Sequence, residues 1–326
     1  MSLALVSFLT MIALPFYWAV LILICWRKVG VLRVVCACMV MPVAAGVLGN
    51  ALTFSAHHFV SVFDPVVIQI DGSLGVQPVT IASTLLHSCP PLSGLCLIVY
   101  ALLTSSVAMS AALEMVSGRR QGLGVLPTFM VAGVLGFCVF MIVPVVGPLP
   151  YFGQDLYSEI LFDRLTIKFS DLSNIPKNCV PSLHATWATL AFLATRGRSF
   201  VARVISGCFL ALTLLATIGF GFHYLTDLVV AAPFILIVRS LCAVNIPWSR
   251  RRALCLVVGC ILVFTWCLVL RSGLREPWLN FAPVGMIITL VTAYMFEQSL
   301  AMVEGFSSYR ISSKPDGACI TLSNDR

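Results

Sequence analysis

Charged residues are scarce in this sequence. They make up 10% of its 326 residues, whereas hydrophobic residues make up 60%, and the mean hydropathy is +1.01. Soluble domains carry about 25% charged residues, and a soluble chain of this size could not bury so much apolar surface. The composition therefore excludes an ordinary soluble domain and predicts an all-α protein that crosses a membrane several times.

The sequence also lacks a basic segment before its first apolar run, paired cysteine spacings in polar segments, and internal repeats. Without a basic start, residues 3–26 are expected to form a first membrane span and not a cleaved signal peptide. Most of the 13 cysteines lie inside apolar runs and predict no disulfide framework. The net charge of +7 is divided among short clusters between those runs, which argues against nucleic-acid binding.

Nine apolar runs are long enough to cross a membrane. They are residues 3–26, 34–54, 92–113, 125–144, 179–195, 204–222, 224–244, 253–270 and 281–300. A shorter run, residues 79–89, fits a re-entrant or interfacial segment.

The basic residues predict the orientation of these spans. If the nine spans alternate, all but five of the 20 Lys and Arg residues fall on one side, and the exceptions are Arg164, Lys168, Lys177, Arg271 and Arg275. The positive-inside rule then places the N-terminus outside and the C-terminus in the cytoplasm. The polar loops at residues 55–78 and 145–180 are therefore expected outside.

Only five histidines occur in the chain, and two of them interrupt apolar runs at their outer ends. His184 lies in NCVPSLHATWATL (178–190), and His223 lies in GFHYLTDLVVA (221–231). Asp227 follows His223 by four positions, so the two side chains share a face if both are helical. A carboxylate bound to one ring nitrogen leaves the other free to attack or to accept a proton. A buried pair that only satisfies itself is the alternative.

Pro181 and Ser182 precede His184 at an expected helix start. Proline suits the first turn of a helix. The free N–H groups of that turn, together with the Ser182 hydroxyl, would form a site for an anion such as phosphate. A simple N-cap role for Ser182 is the alternative.

PSLHATW (181–187) and HYLTD (223–227) resemble the second and third signature motifs of the type 2 phosphatidic acid phosphatase superfamily. The leucine in PSLH, the tyrosine after His223 and VGPLPYF (146–152) are similar to the branch of inositol phosphorylceramide synthases and their bacterial relatives. The resemblance implies the following layout: a six-helix catalytic core at residues 34–244, an extra N-terminal span at 1–33, two extra spans at 245–304 and a cytoplasmic tail at 305–326.

The resemblance also implies roles for four residues. His223 would be the nucleophile that takes the phosphoryl group, and Asp227 would orient it. His184 would protonate the leaving oxygen, and Ser182 with nearby N–H groups would hold phosphate oxygens.

The sequence departs from the family pattern in its positive charge. Many members have an arginine six residues before the nucleophile, whereas this chain has Thr217, which offers a hydrogen bond but no charge. A phosphate site needs positive charge, so we expect it from the outer loop. Arg164 is the first candidate because guanidinium binds phosphate bidentately, and Lys168 and Lys177 are the others.

These observations predict a lipid phosphotransferase or lipid phosphate phosphatase that works through phosphohistidine without a metal or other cofactor. The expected substrate is a phospholipid, a lipid phosphate or a polyprenyl phosphate, the expected location is a bacterial inner membrane, and the oligomeric state stays open. A proton-coupled transporter that uses the His and Asp residues as a relay is the alternative. An intramembrane zinc protease is disfavoured because the chain has no H-E-x-x-H motif.

Overall fold

The computed structural model describes residues 3–59, 61–118, 122–152, 175–244, 248–273 and 278–312. These residues contain helices and no strands, which confirms the all-α prediction. The helices are α1 (Leu3–Cys25), α2 (Val31–His58), α3 (Asp64–Gly72), α4 (Pro78–Ser88), α5 (Pro90–Ala101), α6 (Leu103–Ser117), α7 (Val125–Ile142), α8 (Pro148–Phe152), α9 (Leu183–Leu193), α10 (Phe200–Gly219), α11 (Leu225–Cys242), α12 (Arg250–Ser272) and α13 (Ala282–Ser312), with a 3₁₀ helix at Trp278–Phe281.

Within the described ranges, six helical segments are long and apolar enough to cross a membrane. They are α2, α7, α10, α11, α12 and the segment Trp278–Val303, which contains the 3₁₀ helix and most of α13. Each corresponds to one of the nine predicted runs, and together they indicate an integral membrane protein.

The other three predicted spans are not confirmed. Residues 92–113 divide between α5 and α6, which meet at Leu102. Residues 179–195 yield only the 11-residue α9, which at about 1.5 Å per residue is half the thickness of the hydrocarbon core. The first run forms the 23-residue helix α1, which is not one of the six segments.

The short run at residues 79–89 forms α4, which is followed by a sharp bend. The axes of α4 and α5 differ by 115° across a break at Cys89. Two prolines at the start of α5 explain the break, because a residue before proline is driven out of the helical region. Bent pairs of this kind occur both in broken spans and in re-entrant loops.

Serine residues are the N-caps of three of the helices. Ser182 caps α9 by accepting a hydrogen bond from the Ala185 N–H at 3.3 Å. Ser199 and Ser249 cap α10 and α12 in the same way, each at 3.3 Å. A serine oxygen at this position satisfies one of the free N–H groups of the first turn, so these starts are set by local sequence.

Helix α11 lies at the centre of the packed helices. It contacts α7, α9, α12 and α13 along its length and α3 near its start. Its buried side chains include Val229, Phe234 and Val238, which pack with Trp266 and Leu270 of α12. A separate cluster of apolar side chains joins α1, α2, α6 and α7. The motif at the start of α11 is therefore held by several helices.

Large apolar side chains are exposed along one face of α12. They are Leu254, Val257, Ile261, Phe264 and Leu268, which recur every three or four residues and so form a single stripe. Apolar surface of this extent indicates contact with lipid, in agreement with the membrane assignment.

An ion cluster joins three segments at the end of α11 opposite His223. Arg196 donates two hydrogen bonds to Glu297 of α13, at 2.8 Å to Oε1 and 2.6 Å to Oε2. Arg239 of α11 lies 3.3 Å from Glu297 Oε1. The Glu297 side chain is only 11% exposed, so α13 is tied to the core by a largely buried carboxylate.

We expect Glu297→Gln to destabilise the protein by about 3 kcal/mol, because removal of one partner leaves the other charges buried without compensation. Thermal unfolding of the purified protein in detergent measures this change. Gln298→Ala, at the next position of the same helix, is the control and should stay close to the unmodified protein. Equal unfolding temperatures for the two variants would contradict this role of Glu297.

Candidate active site

The structure brings the two histidine segments together. His184 lies in the first turn of α9, and His223 lies in the loop between α10 and α11. Their ring centroids are 6.2 Å apart, with the ring planes tilted by 60°. The Ser182 N–H also donates to the Asp227 carbonyl at 3.2 Å, so the starts of α9 and α11 are joined directly.

His223 and Asp227 form the contact that their spacing predicts, but by a different geometry. His223 Nδ1 is 3.2 Å from Asp227 Oδ2. Helix α11 begins at Leu225, so His223 precedes the helix and the two residues do not share a helical face. Instead, Asp227 in the first turn reaches back and accepts the Tyr224 N–H at 2.9 Å through the same oxygen, which holds the carboxylate beside the ring.

The electrostatic setting of His223 favours its neutral form. Burial lowers the pKa of His223 to about 4, against an opposing hydrogen bond with the Cys179 backbone. The ring is therefore uncharged near pH 7. A bond from Nδ1–H to Asp227 leaves the lone pair on Nε2, as a nucleophile requires.

Tyr100 of α5 is a third side chain at the site. Its ring stacks on His184 with centroids 4.2 Å apart and an interplanar angle of 10°. Its hydroxyl is 3.3 Å from His184 Nδ1, and its ring also stacks on Phe222 at 4.8 Å. Sequence reasoning missed Tyr100 because it lies in an apolar run without any motif.

Both histidines open onto one cavity of about 300 Å³. Most of its walls are apolar or aromatic, and the polar lining residues besides the histidines are Tyr100, Asn178 and Cys179. None of the described residues that line it is Lys or Arg. Two of the predicted phosphate ligands, Arg164 and Lys168, lie outside the described residues.

The other predicted phosphate ligands do not line this cavity. Ser182 is fully buried and acts as the α9 cap, and its role as a phosphate ligand stays a prediction. Thr217 donates its hydroxyl to the Thr213 carbonyl at 2.6 Å, and its carbonyl accepts the His223 N–H at 3.1 Å. Thr217 therefore stabilises the loop that carries His223 through a backbone hydrogen bond. Lys177 is fully buried and donates to the Ala56 carbonyl at 2.6 Å.

Two aspartates of α3 hold the site segments in place. Asp64 accepts the N–H groups of Val146 and Gly147, at 3.0 and 2.8 Å, and the Tyr224 hydroxyl at 3.1 Å. Asp64 therefore links VGPLPYF to the residue after His223.

Asp71 holds the start of α11. It accepts the Leu225 N–H at 2.7 Å, and the Thr226 N–H and hydroxyl at 3.0 and 2.6 Å. Burial raises the pKa of Asp71 to about 6, although the bonds from Thr226 and Leu225 favour the carboxylate. Sequence reasoning placed both aspartates in a polar outer loop. The one available signal was a pair of acids in a segment without Lys or Arg.

We expect Asp71→Ala to lower the free energy of unfolding by about 3 kcal/mol or more, because three donors lose their acceptor at about 1–3 kcal/mol each. Asp71→Asn should lie in between, since its amide oxygen still accepts. Gln69→Ala, on the exposed face of the same helix, is the control. An Asp71→Ala protein as stable as the Gln69→Ala protein would show that the contacts at the α11 start are dispensable.

Comparison with known proteins identifies a family. The family model described as PAP2 superfamily matches residues 65–241, which is more than half of the chain. The matched region contains His184, His223 and Asp227, as well as Tyr100 and Asp71. No curated protein and no solved structure matches the chain significantly.

Proposed function

The chain belongs to the PAP2 superfamily, and on that premise we propose that it moves the phosphoryl group of a membrane lipid through a phosphohistidine at His223. Superfamily membership supports phosphatase-like chemistry in a membrane enzyme. The observation that carries the finer proposal is the convergence of His184 and His223 on one cavity, with Asp227 bound behind His223.

The first half of the reaction uses both rings. Nε2 of His223 attacks phosphorus, and the bond from phosphorus to the lipid oxygen breaks. His184 enters this step as the imidazolium, a form that the negative phosphate beside it stabilises, and gives its extra proton to that leaving oxygen. Asp227 keeps the His223 proton on Nδ1 and stabilises the positive charge that develops on the ring. A ring separation of 6.2 Å is one that a phosphoryl group can bridge.

The second half reverses these roles. A hydroxyl attacks the phosphohistidine, His184 takes its proton, and the bond between His223 and phosphorus breaks. If the hydroxyl belongs to water, the protein is a phosphatase, and if it belongs to an alcohol, the protein is a transferase. The similarity of VGPLPYF and HYLTD to the inositol phosphorylceramide synthase branch favours transfer.

The charge that neutralises the phosphate comes, in this proposal, from Arg164 and Lys168. Support comes from the sequence, because both residues belong to the predicted outer loop at residues 145–180, which also contains Asn178 and Cys179 of the cavity lining. An apolar lining also suits the lipid part of a phospholipid, lipid phosphate or polyprenyl phosphate. The transporter alternative gains no support, since the family match concerns phosphatase-like proteins.

The site is proposed to face away from the cytoplasm, in a bacterial inner membrane. The distribution of Lys and Arg supports this orientation. Helix α11 separates His223, just before its start, from Arg239 near its end, a distance of about 25 Å at 1.5 Å per residue. Arg239 joins Arg196 in the ion cluster, on the side where the predicted alternation of spans places most of the positive charge.

A product assay tests the proposal. The purified full-length chain is incubated with a panel of phospholipids and lipid phosphates labelled in the phosphoryl group, with and without inositol, glycerol or ceramide. Free phosphate or phosphorylated head group that no alcohol changes would identify a phosphatase. A new labelled lipid that requires the alcohol would identify a transferase. If no donor is turned over in a manner that depends on His223, the proposed function is wrong.

A further inference from the structure

A third potential ligand lies beside the His223–Asp227 pair. Cys179 comes from the segment before α9, and the ligand atoms of Cys179, His223 and Asp227 all lie within 4.8 Å of one another. All three residues are buried, and both Cys179 and His223 line the cavity. The phosphoryl-transfer scheme gives Cys179 no role.

The position of the thiol is fixed by its surroundings. Its sulfur donates to the Phe222 carbonyl at 3.3 Å, and the Cys179 N–H donates to the Val145 carbonyl at 3.1 Å. Gly147 makes room for it, because a Cβ at that position would lie 2.8 Å from the sulfur. Two separate segments thus hold a sulfur and a nitrogen donor close together before any ligand binds.

Asp227 provides independent evidence for a missing ligand, because one of its oxygens is unpaired. Its Oδ2 accepts both the His223 and the Tyr224 contacts. Its Oδ1 is buried and has no hydrogen-bond partner among the described residues. Buried polar atoms in native proteins are nearly always paired, so an orphan carboxylate oxygen in a group with a thiol and an imidazole calls for a cation.

The donor set selects the kind of cation. Thiolate, imidazole and carboxylate together are zinc ligands, with bonds of about 2.0–2.3 Å. Tetrahedral bonds of that length place donor atoms up to about 3.8 Å apart. Side-chain rotations that move the donor atoms by about 1 Å therefore bring all three within bonding distance of one ion. Mg²⁺ and Ca²⁺ prefer sites made of oxygen alone.

We propose that Cys179, His223 and Asp227 form an inhibitory site for a thiophilic divalent cation such as Zn²⁺. On binding, the thiol releases its proton to solvent and the sulfur–metal bond replaces it. One His223 nitrogen and one Asp227 oxygen bind the ion together with this sulfur, which fills three of its four coordination positions. The fourth position opens toward the cavity. Whichever ring nitrogen binds the metal, the other carries the only ring proton. No lone pair is then left in the ring plane to attack phosphorus.

Binding is tested first, without any assay of turnover, so that the result does not depend on the proposed function. Co²⁺ is added to the purified full-length protein in detergent, and the thiolate-to-cobalt charge-transfer absorption is recorded. We expect a band in the unmodified protein that Zn²⁺ displaces, and no such band in Cys179→Ser. Serine keeps the hydrogen bond to Phe222 but does not supply a thiolate.

Cys96→Ser is the matched control, because Cys96 is equally buried but is not part of the cluster. Its band should equal that of the unmodified protein. A band of the same size in Cys179→Ser and Cys96→Ser would place the cobalt at other cysteines and overturn the site. Cys179→Ala serves as the second variant if Cys179→Ser does not fold.

Inhibition is tested on whichever lipid donor the product assay identifies, and this part rests on the proposed function. We expect micromolar Zn²⁺ to inhibit, a chelator to restore the rate and Mg²⁺ to have no effect. The Zn²⁺ concentration for half inhibition should rise at least about tenfold in Cys179→Ser, measured against that variant's own rate. If the cobalt band depends on Cys179 but Zn²⁺ does not inhibit, the cluster binds metal and the proposed inhibitory role is wrong.

Discussion

His223→Asn is expected to abolish turnover of the lipid substrate, with a loss in kcat on the order of 10⁴-fold or more, since removal of a catalytic nucleophile has effects of this size or larger. The asparagine amide can still donate to Asp227, as His223 Nδ1 does at 3.2 Å, but it lacks the Nε2 lone pair. The variant therefore removes the nucleophile and keeps the contact. His57→Asn, at an exposed position, should keep full activity.

Two measurements accompany this variant. Unfolding temperatures close to those of the unmodified protein would show that the loss is chemical. A brief reaction with labelled donor, stopped with alkali, should trap label on the unmodified protein as an acid-labile phosphohistidine and none on His223→Asn. Label on another residue, or activity within tenfold of the unmodified protein, would remove His223 from the nucleophile role.

His184→Gln is expected to reduce kcat for an alkyl phosphate ester of a lipid by about 10²–10⁴-fold, the usual contribution of a general acid. An aryl ester leaves with little protonation, so its rate should fall by tenfold at most. The ratio of the two losses measures the acid role directly, because damage to the cavity would lower both rates together.

The aromatic neighbours of His184 provide a control for this experiment. Tyr100→Phe keeps the ring that stacks at 4.2 Å and removes the hydroxyl 3.3 Å from His184 Nδ1. It should change both esters by a similar and smaller factor. Equal losses for the two esters in His184→Gln would show that His184 positions the substrate and does not protonate it.

Much of the candidate site could be predicted because its signals are local. His223 and Asp227 are four positions apart, and Ser182 caps a helix that starts at the next residue. Contacts of this range depend on backbone geometry that a short stretch of sequence specifies. The six helices that are long and apolar enough to cross a membrane could be predicted on the same basis, since hydropathy averages over neighbouring residues.

The unconfirmed spans show what a local average of hydropathy cannot predict. An apolar run reports burial in lipid or in protein, but not whether one continuous helix covers it. Residues 92–113 contain no charged residue, yet the chain forms α5 and α6 on either side of Leu102. The run predicted at residues 179–195 gives a helix that starts only at Leu183, because Ser182 caps it.

The sequence by itself determined the class of protein, the helical content, the histidine pair with its aspartate, and the family. Only the tertiary structure decided which residues support and surround that pair. Asp71 reaches Thr226 across 155 positions, Tyr100 reaches His184 across 84, and Cys179 joins His223 from another segment. Partners so far apart have no common period or spacing in the chain. They meet because the packing of the helices brings them together, and buried polar groups pair with the partners that this packing supplies.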